Sequence, residues 1–193
     1  MTQYARPDGT TILDSLWVNE QSNQTDLHLS VDEAAGTEGQ DEDKITSDSD
    51  SDGMGGGTTP DWIKFTLGDI DDPESDDDHK VVYRAIGAGG MGSAPDLIWS
   101  LRQGSTEIAG GTNSSLNNSD MWESVSAHTH TLTGGDAEAR SISDYDDLQI
   151  WFKRGGGIGQ MGEGVTITQA WFECPDASAA AATTSPAFLL FVE

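Results

Sequence analysis

The sequence predicts an all-β protein: an antiparallel two-sheet β-sandwich of the jelly-roll type, with about eight strands and long acidic loops. Short segments in which apolar and polar residues alternate recur along the chain, as in strands that bury one face. None has the spacing of a long amphipathic helix, and 23 glycines among 193 residues indicate many turns. Long insertions make the strand spacing irregular, which favours two packed sheets over a closed barrel.

Three regions are predicted along the chain. Residues 1–14 form a polar N-terminal arm, which is either flexible or an edge strand that docks on a neighbouring subunit. Residues 15–175 form the jelly-roll-like sandwich, and residues 176–193 form a linker of small residues followed by an apolar tail. The first alternating segment of the sandwich is Thr25–Val31, a predicted strand with three apolar residues on one face: Leu27, Leu29 and Val31.

Two acidic segments interrupt the sandwich. Ala34–Pro60 has almost no apolar residues and contains the glycine run Gly53–Gly57. Such a segment cannot bury enough surface to offset the entropy lost on ordering, so it is predicted to be an exposed loop. Gly68–His79 is predicted to be a second acidic loop, with three consecutive aspartates at its tip.

The remaining strands are predicted around these loops. Apolar residues on both faces of Lys80–Ala85 indicate a central strand, and Asp96–Arg102 forms a hairpin with Thr106–Ala109. The other strand-bearing segments are Asp61–Leu67, Trp122–Phe152 (strand, short helical turn, acidic turn, strand) and Val165–Glu173.

The last residues are too apolar to lie comfortably in water: Phe188, Leu189, Leu190, Phe191 and Val192. One interpretation is that another subunit covers them, which makes them an interaction site. The alternative is that they fold back on their own sandwich.

The chain carries 34 acidic against 9 basic residues, a net charge of −25. Self-repulsion of this size destabilises a compact state in dilute buffer, whereas molar salt shortens the Debye length to roughly 3 Å. The composition therefore indicates a halophilic source, with an acidic mesophilic protein as the alternative. No basic patch is present to neutralise phosphates, so nucleic acid is excluded as a partner.

No apolar run approaches the roughly 20 residues of a membrane span, so no membrane partner is predicted. The polar N-terminus is no signal peptide, which predicts synthesis in the cytoplasm. The single Cys174 cannot form an internal disulfide and is predicted to be a buried structural thiol.

Two patterns offer weak metal candidates. Asp48, Asp50 and Asp52 copy the first half of a calcium loop, but position twelve is Thr59 instead of the required glutamate. A plain repulsive loop is favoured, with an adventitious cation as the alternative. His128 and His130 project from one face of a strand and make only half a zinc site, so they are interpreted as exposed polar positions. No cofactor is predicted.

No enzyme is predicted. Asp144, Asp146 and Asp147 cluster with Glu138, and glycoside hydrolysis uses paired carboxylates about 5–9.5 Å apart. Acids are so common in this chain that the cluster carries little information, and nucleophile-elbow, phosphate-loop, dinucleotide and metalloprotease motifs are absent from the sequence. The six tryptophans all lie on strand-like runs. Core packing is the favoured interpretation, with a sugar-stacking platform on one sheet as the alternative.

Several segments resemble a jelly-roll-like β-sandwich module of structural proteins in tailed viruses, notably head-decoration, head-fibre and tail-associated proteins. The most specific is Ser143–Phe152, which with Ile142 matches the element Ile-x-Asp-Tyr-x-Asp-Leu; the others are Asp61–Ile63, Lys80–Ala85, Leu97–Gly104, His130–Thr133 and Val165–Pro175. The resemblance spans Leu16–Pro175. The chain departs from it in the two acidic insertions and in residues 176–193, and no catalytic residue comes with it.

Together with the charge, the resemblance implies a non-enzymatic virion structural protein of a halophilic tailed virus. It would be a capsid-surface decoration, turret or fibre component, assembled in the host cytoplasm and located in the virion. The partners implied are copies of itself, as a trimer or pentamer, and capsid or tail proteins. The alternative is a carbohydrate-binding or receptor-binding module of a tail or spike that attaches to a host-surface glycan, which predicts an exposed row of tryptophans.

Overall fold

The computed structural model describes residues 2–12, 17–19, 21–22, 24–32, 43–47, 62–88, 95–116, 126–132, 138–155 and 164–177. These residues form the strands β1 (Thr2–Ala5), β2 (Pro7–Ile12), β3 (Trp17–Asn19), β4 (Ile45–Ser47), β5 (Ile63–Leu67), β6 (Lys80–Ala88), β7 (Asp96–Gln103), β8 (Thr106–Asn113), β9 (Ser126–Thr131), β10 (Leu148–Gly155) and β11 (Gly164–Pro175). The helical elements in the same ranges are short 3-10 turns: Leu27–Ser30, Ala139–Ser141 and Tyr145–Asp147.

The strands form two antiparallel sheets that pack as a sandwich. The first sheet has the order β3-β4-β11-β6-β9, and β1 also pairs with β11; the second has the order β2-β5-β10-β7-β8. From β4 to β11 the chain places β4, β6, β9 and β11 in the first sheet and β5, β7, β8 and β10 in the second. This is the strand order of a jelly roll, so the predicted fold class is confirmed.

The core lies between the sheets and is built by alternate residues of facing strands. Ile63, Phe65 and Leu67 of β5 are buried, as are the alternate residues of β7 and β10. The rings of Phe65 and Phe152 meet edge-on at 6.4 Å. Full burial of such side chains contributes about 1.5–3 kcal/mol each, which explains why the alternating segments became strands.

The N-terminal residues are strands of the sandwich itself. β1 pairs with β11 and β2 pairs with β5 of the same chain, within the residues predicted to be an arm. The side chain of Gln3 donates to the carbonyl oxygens of Asp71 and Pro175, which fixes β1 beside the acidic loop. The structure therefore differs from the expectation of an arm that reaches a neighbouring subunit.

The prediction of a strand at Thr25–Val31 is wrong. Asp26 has a left-handed backbone (φ 52°), and the chain then makes the 3-10 turn. Leu27 and Val31 are buried, whereas Leu29 is 58% exposed. The carbonyl oxygen of Val31, just after the turn, accepts a hydrogen bond from the Ala170 amide, which lies between the parts of β11 that pair with β4 and with β1.

The two acidic segments differ in the structure. Gly68–His79 is a loop, as predicted, between β5 and β6. Ala34–Pro60 contains β4, which contradicts an uninterrupted loop, because Ile45 is fully buried and pairs with Ile167 of β11. The candidates Asp48, Asp50 and Asp52, the tail residues Phe188, Leu189, Leu190, Phe191 and Val192, and Trp122 lie outside the described residues. In the part of the chain that is described, no helix has the length and apolar character of a membrane span.

Candidate binding cleft between strands β8 and β9

A cleft of about 400 Å³ opens at one side of the sandwich. β8 and β9 are the outermost strands of their sheets, so the two sheets end there without a covering strand in the described structure. The cleft is lined by residues of β6 to β9 and of the segment after β8: Tyr83, Trp99, Thr112, Asn113, Ser114, Ser115, Ala127, His128, Thr129 and His130. The volume lies within the range of about 300–1,000 Å³ that is typical of small-molecule sites.

Two aromatic side chains form the floor of the cleft. Trp99 of β7 and Tyr83 of β6 point inward from opposite sheets, with ring centroids 6.5 Å apart. Both are almost fully buried, and Tyr83 also packs edge-on against Phe152 at 5.5 Å. The amide of Asn113 donates to the Tyr83 hydroxyl at 3.4 Å, which is a long hydrogen bond. The floor is therefore held by the core.

Gly111 makes room for the indole ring of Trp99. The two residues are paired across β7 and β8, and a Cβ atom at position 111 would lie 3.2 Å from Nε1 of Trp99. A side chain there would push either the indole or strand β8 away. The glycine thus lets Trp99 lie directly beneath the rim of the cleft.

His128 and His130 form one wall. They are two apart on β9 and project from the same face, as predicted, but they point into the cleft and are half-buried instead of exposed. The imidazole of His128 stacks on Tyr83 at 5.3 Å, and that of His130 packs on Trp99 at 4.8 Å. The Nε2 atoms of both are buried and make no hydrogen bond in the described structure; His130 Nε2 lies 3.6 Å from a Glu138 carboxylate oxygen.

Two titratable side chains of the cleft, His128 and Tyr83, are uncharged near pH 7. Burial lowers the pKa of His128, an effect that its hydrogen bond with the backbone of Ala85 opposes. Burial raises the pKa of Tyr83, and the hydrogen bond from Asn113 opposes that shift. The hydrogen bond with Ala85 occupies one nitrogen of the uncharged His128 ring, which leaves Nε2 as an acceptor for a ligand hydroxyl.

The described residues hold no group of three or more histidine, cysteine, aspartate or glutamate side chains arranged as metal ligands. His128 and His130 remain a pair. Cys174 is buried in the core, as predicted, and burial raises the pKa of its thiol to about 12, which suppresses the reactive thiolate.

The acidic cluster at residues 144–147 has a structural role. The Asp144 carboxylate accepts a hydrogen bond from the Asp146 amide and so caps the 3-10 turn. Tyr145 is buried, and its hydroxyl donates to Nε2 of His79 at 2.7 Å. The side chain of Gln103 accepts from the Ser143 and Asp144 amides. The sequence pattern gave no sign of the His79 contact, because 66 residues separate the partners.

The tryptophans do not form an exposed row in the described ranges. Trp17, Trp99 and Trp171 are buried, whereas Trp62 and Trp151 are half-buried on the outer face of the second sheet. The ring of Trp151 already carries two cations, with Lys64 Nζ at 3.7 Å and Arg102 Cζ at 4.3 Å. A sugar ring has no free indole face to stack on there, which leaves the cleft as the better candidate.

No protein-family model matches the sequence, and no curated protein does. Among solved structures, the chain is similar to a truncated AlyQ with CBM32 and alginate lyase domains, at 14% identity and a TM-score of 0.43. That similarity covers 90% of this chain but only 34% of the other. The fold and the cleft on their own define the class: a jelly-roll β-sandwich with a lateral cleft.

Proposed function

We propose that this protein is a non-catalytic recognition module that binds a neutral saccharide in the cleft between β8 and β9. The observation that carries the proposal is the composition of the cleft. The rings of Trp99 and Tyr83 are almost fully buried beneath the imidazoles of His130 and His128, so these half-buried imidazoles supply the ring surface of the cleft, with amide and hydroxyl groups beside them. A sugar ring has an apolar C–H face and a rim of hydroxyls, and this arrangement is complementary to both.

The charges favour a neutral ligand over an acidic one. The whole chain carries −25, and Glu138 lies behind His130, so an anionic sugar meets an unfavourable field. The Nε2 atoms of His128 and His130 are buried, and a Glu138 carboxylate oxygen already lies 3.6 Å from His130 Nε2, which disfavours a second carboxylate from a ligand. A saccharide hydroxyl that enters beside the His128 ring can donate to Nε2, because the Ala85 backbone occupies the other ring nitrogen.

The test is a titration of the full chain with a panel of neutral disaccharides and one uronic-acid disaccharide, followed by NMR. Neutral sugars are expected to shift the Trp99 indole and Asn113 side-chain signals, and the acidic sugar is expected to bind more weakly. Replacement of His130 by alanine removes the half-buried ring that lies on Trp99 and contacts the sugar, a loss of up to about 1.5 kcal/mol, so Kd should rise up to about tenfold. The matched control is His28→Ala, a half-buried histidine outside the cleft.

A second pair of test and control substitutions lies on strand β8. Thr112 and Thr106 are both exposed residues of β8, but only Thr112 lines the cleft. Thr112→Ala is expected to weaken binding severalfold, whereas Thr106→Ala leaves it unchanged. Absence of signal shifts with every sugar of the panel, or equal weakening by both members of a pair, would overturn the proposal.

We infer in addition that the module is displayed on the virion surface of a halophilic tailed virus. What supports this is the resemblance of residues 16–175, whose most specific element forms a well-packed corner at Asp144–Leu148. Attachment through Phe188–Val192 to a capsid or tail protein, and a trimeric or pentameric state, belong to the same proposal. Mass spectrometry of purified particles tests it: the chain should be present in a fixed copy number, and its absence would refute the assignment.

A further inference from the structure

We propose that the outer face of the second sheet binds a second copy of this chain, through the acidic loop Gly68–His79 of that copy. The surface, called the cationic face below, consists of Lys64, Arg102 and Lys153 around the half-buried Trp62 and Trp151. It lies on the opposite side of the sheet from the core. The proposal is independent of sugar binding in the cleft.

Basic residues are concentrated on the cationic face. The chain has only nine lysines and arginines, and three of them project from the neighbouring strands β5, β7 and β10. Trp151 is paired with Lys64 on one side and with Ser100 on the other, which places these side chains next to each other. Two acidic residues lie beside this face: Glu107 bonds to Ser100 and Arg102, and Asp8 accepts from the Thr66 hydroxyl. In a chain of charge −25, this face is a local exception.

Trp151 holds the cations in place. Lys64 Nζ and Arg102 Cζ lie 3.7 Å and 4.3 Å from its ring, and the Trp62 ring is 6.1 Å away. Cation–π contacts restrict the long basic side chains before any partner arrives, so less rotamer entropy is lost on docking. Half-buried indoles beside arginine are also typical of the central residues of protein interfaces.

The acidic loop is the complementary surface. It carries seven carboxylates: Asp69, Asp71, Asp72, Glu74, Asp76, Asp77 and Asp78. Its backbone is fixed by side-chain hydrogen bonds, since Gln3 accepts from the Asp71 amide and Asp72 from the Glu74 amide. Loop and face are different surfaces of one chain, so the contact is head-to-tail, and repetition of it generates a closed ring when the rotation allows.

The proposed contact requires salt. In dilute buffer two copies of charge −25 repel each other over a long range. Molar salt reduces the Debye length to roughly 3 Å, which removes this repulsion but leaves contact ion pairs and the burial of the indoles. Association should therefore increase with salt concentration, whereas a contact that depends on long-range attraction would weaken.

Sedimentation velocity of the full chain in dilute buffer and in molar KCl tests this. The wild type should be monomeric in dilute buffer and associated in molar KCl. Lys64→Glu with Lys153→Glu should abolish association, as should Asp71→Lys with Asp77→Lys in the loop. The conservative pair Lys64→Arg with Lys153→Arg should associate like the wild type. An equimolar mixture of the two charge-reversed proteins should associate again, because each supplies the surface that the other lacks.

Thermal melting of each variant in molar KCl checks that it is folded. If Lys64→Glu with Lys153→Glu does not fold, Lys153→Glu alone replaces it in the sedimentation experiment. A wild type that stays monomeric in molar KCl overturns the proposal. Association of both charge-reversed variants on their own, or failure of their mixture to associate, overturns it equally. Sugar should still shift the NMR signal of the Trp99 indole in these variants. A failure of the association proposal would therefore leave the proposal of sugar binding in the cleft standing.

Discussion

The buried His79 links the acidic loop to the core. Its Nδ1 donates to the Asp77 carbonyl oxygen at 2.9 Å, which leaves Nε2 to accept the Tyr145 hydroxyl at 2.7 Å. The ring also packs on Phe172 at 5.7 Å. Burial lowers the pKa of His79 from its usual 6.5, against the opposing effects of the Asp77 hydrogen bond and the nearby carboxylates of Asp76 and Asp72. Protonation would give Nε2 a hydrogen and break the acceptor role that Tyr145 needs.

This geometry predicts how stability depends on pH. Because the folded pKa of His79 lies below 6.5, the unfolded chain binds more protons in the window beneath pH 6.5. The contribution of His79 is present above that pH and is lost as the pH falls toward the folded pKa. The slope is at most about 1.4 kcal/mol per pH unit for this group. His128, whose pKa is also lowered by burial, contributes to the slope in the same window, so the effect of His79 is the difference between the wild type and a variant of His79.

The variant His79→Gln tests this prediction, because an amide supplies one donor and one acceptor but does not titrate. Urea unfolding between about pH 7.5 and 5.5 should show a shallower slope than the wild type. Tyr145→Phe breaks the same hydrogen bond but keeps the imidazole, so it should lower stability and retain a slope. An identical slope in wild type and His79→Gln would contradict the assignment.

At the scale of the element, the turn at Tyr145–Asp147 depends on its cap. The Asp144 carboxylate satisfies the Asp146 amide, and loss of such a cap costs about 1 kcal/mol. Asp144→Ala should therefore lower the free energy of unfolding by about that amount relative to Asp146→Ala. Both changes remove one negative charge from the same turn, so the difference isolates the cap. Equal stability of the two variants in urea unfolding would show that the cap contributes nothing.

The individual strands show which parts of the fold can be predicted from the sequence. Alternation predicted β5, β7 and β10, because each buries one face against the opposite sheet, and it also predicted β11, which is buried on both faces. It did not find β4, whose three residues stand in an acidic segment and become a strand only through pairing with β11 and β3. It also mistook Thr25–Val31 for a strand: Leu27 and Val31 are buried as the alternation requires, but Leu29 is exposed because the backbone forms a 3-10 turn after Asp26.

The cleft was the hardest feature to predict, because it also depends on contacts between residues that are far apart in the sequence. His128 and His130 were correctly placed on one face of a strand, but nothing local says that this face meets Tyr83. That contact arises from the pairing of β9 with β6, across more than forty intervening residues. Trp99 was predicted to be in the core, and it is buried, yet Gly111 opens the space that lets it reach the cleft.

At the scale of the whole molecule, charge and fold oppose each other. The chain carries 34 carboxylates and only 9 basic side chains to offset them. The ion pair between Lys80 and Glu173, at 2.6 Å, joins the neighbouring strands β6 and β11. A pair at the surface contributes at most about 1 kcal/mol, so it cannot balance the repulsion of the whole surface.

The thermal midpoint should therefore rise steeply with salt. Repulsion among exposed carboxylates acts over the Debye length, which falls from about 10 Å at 0.1 M to about 3 Å at 1 M salt. Differential scanning calorimetry in KCl, at protein concentrations too low for association, measures this directly. Combined replacement of the exposed Asp71, Asp77 and Asp146 by asparagine removes three charges and should raise the midpoint in dilute buffer more than in molar KCl. A midpoint that does not change with salt would mean that repulsion among the carboxylates does not lower the free energy of unfolding. The halophilic interpretation would then lose its physical basis.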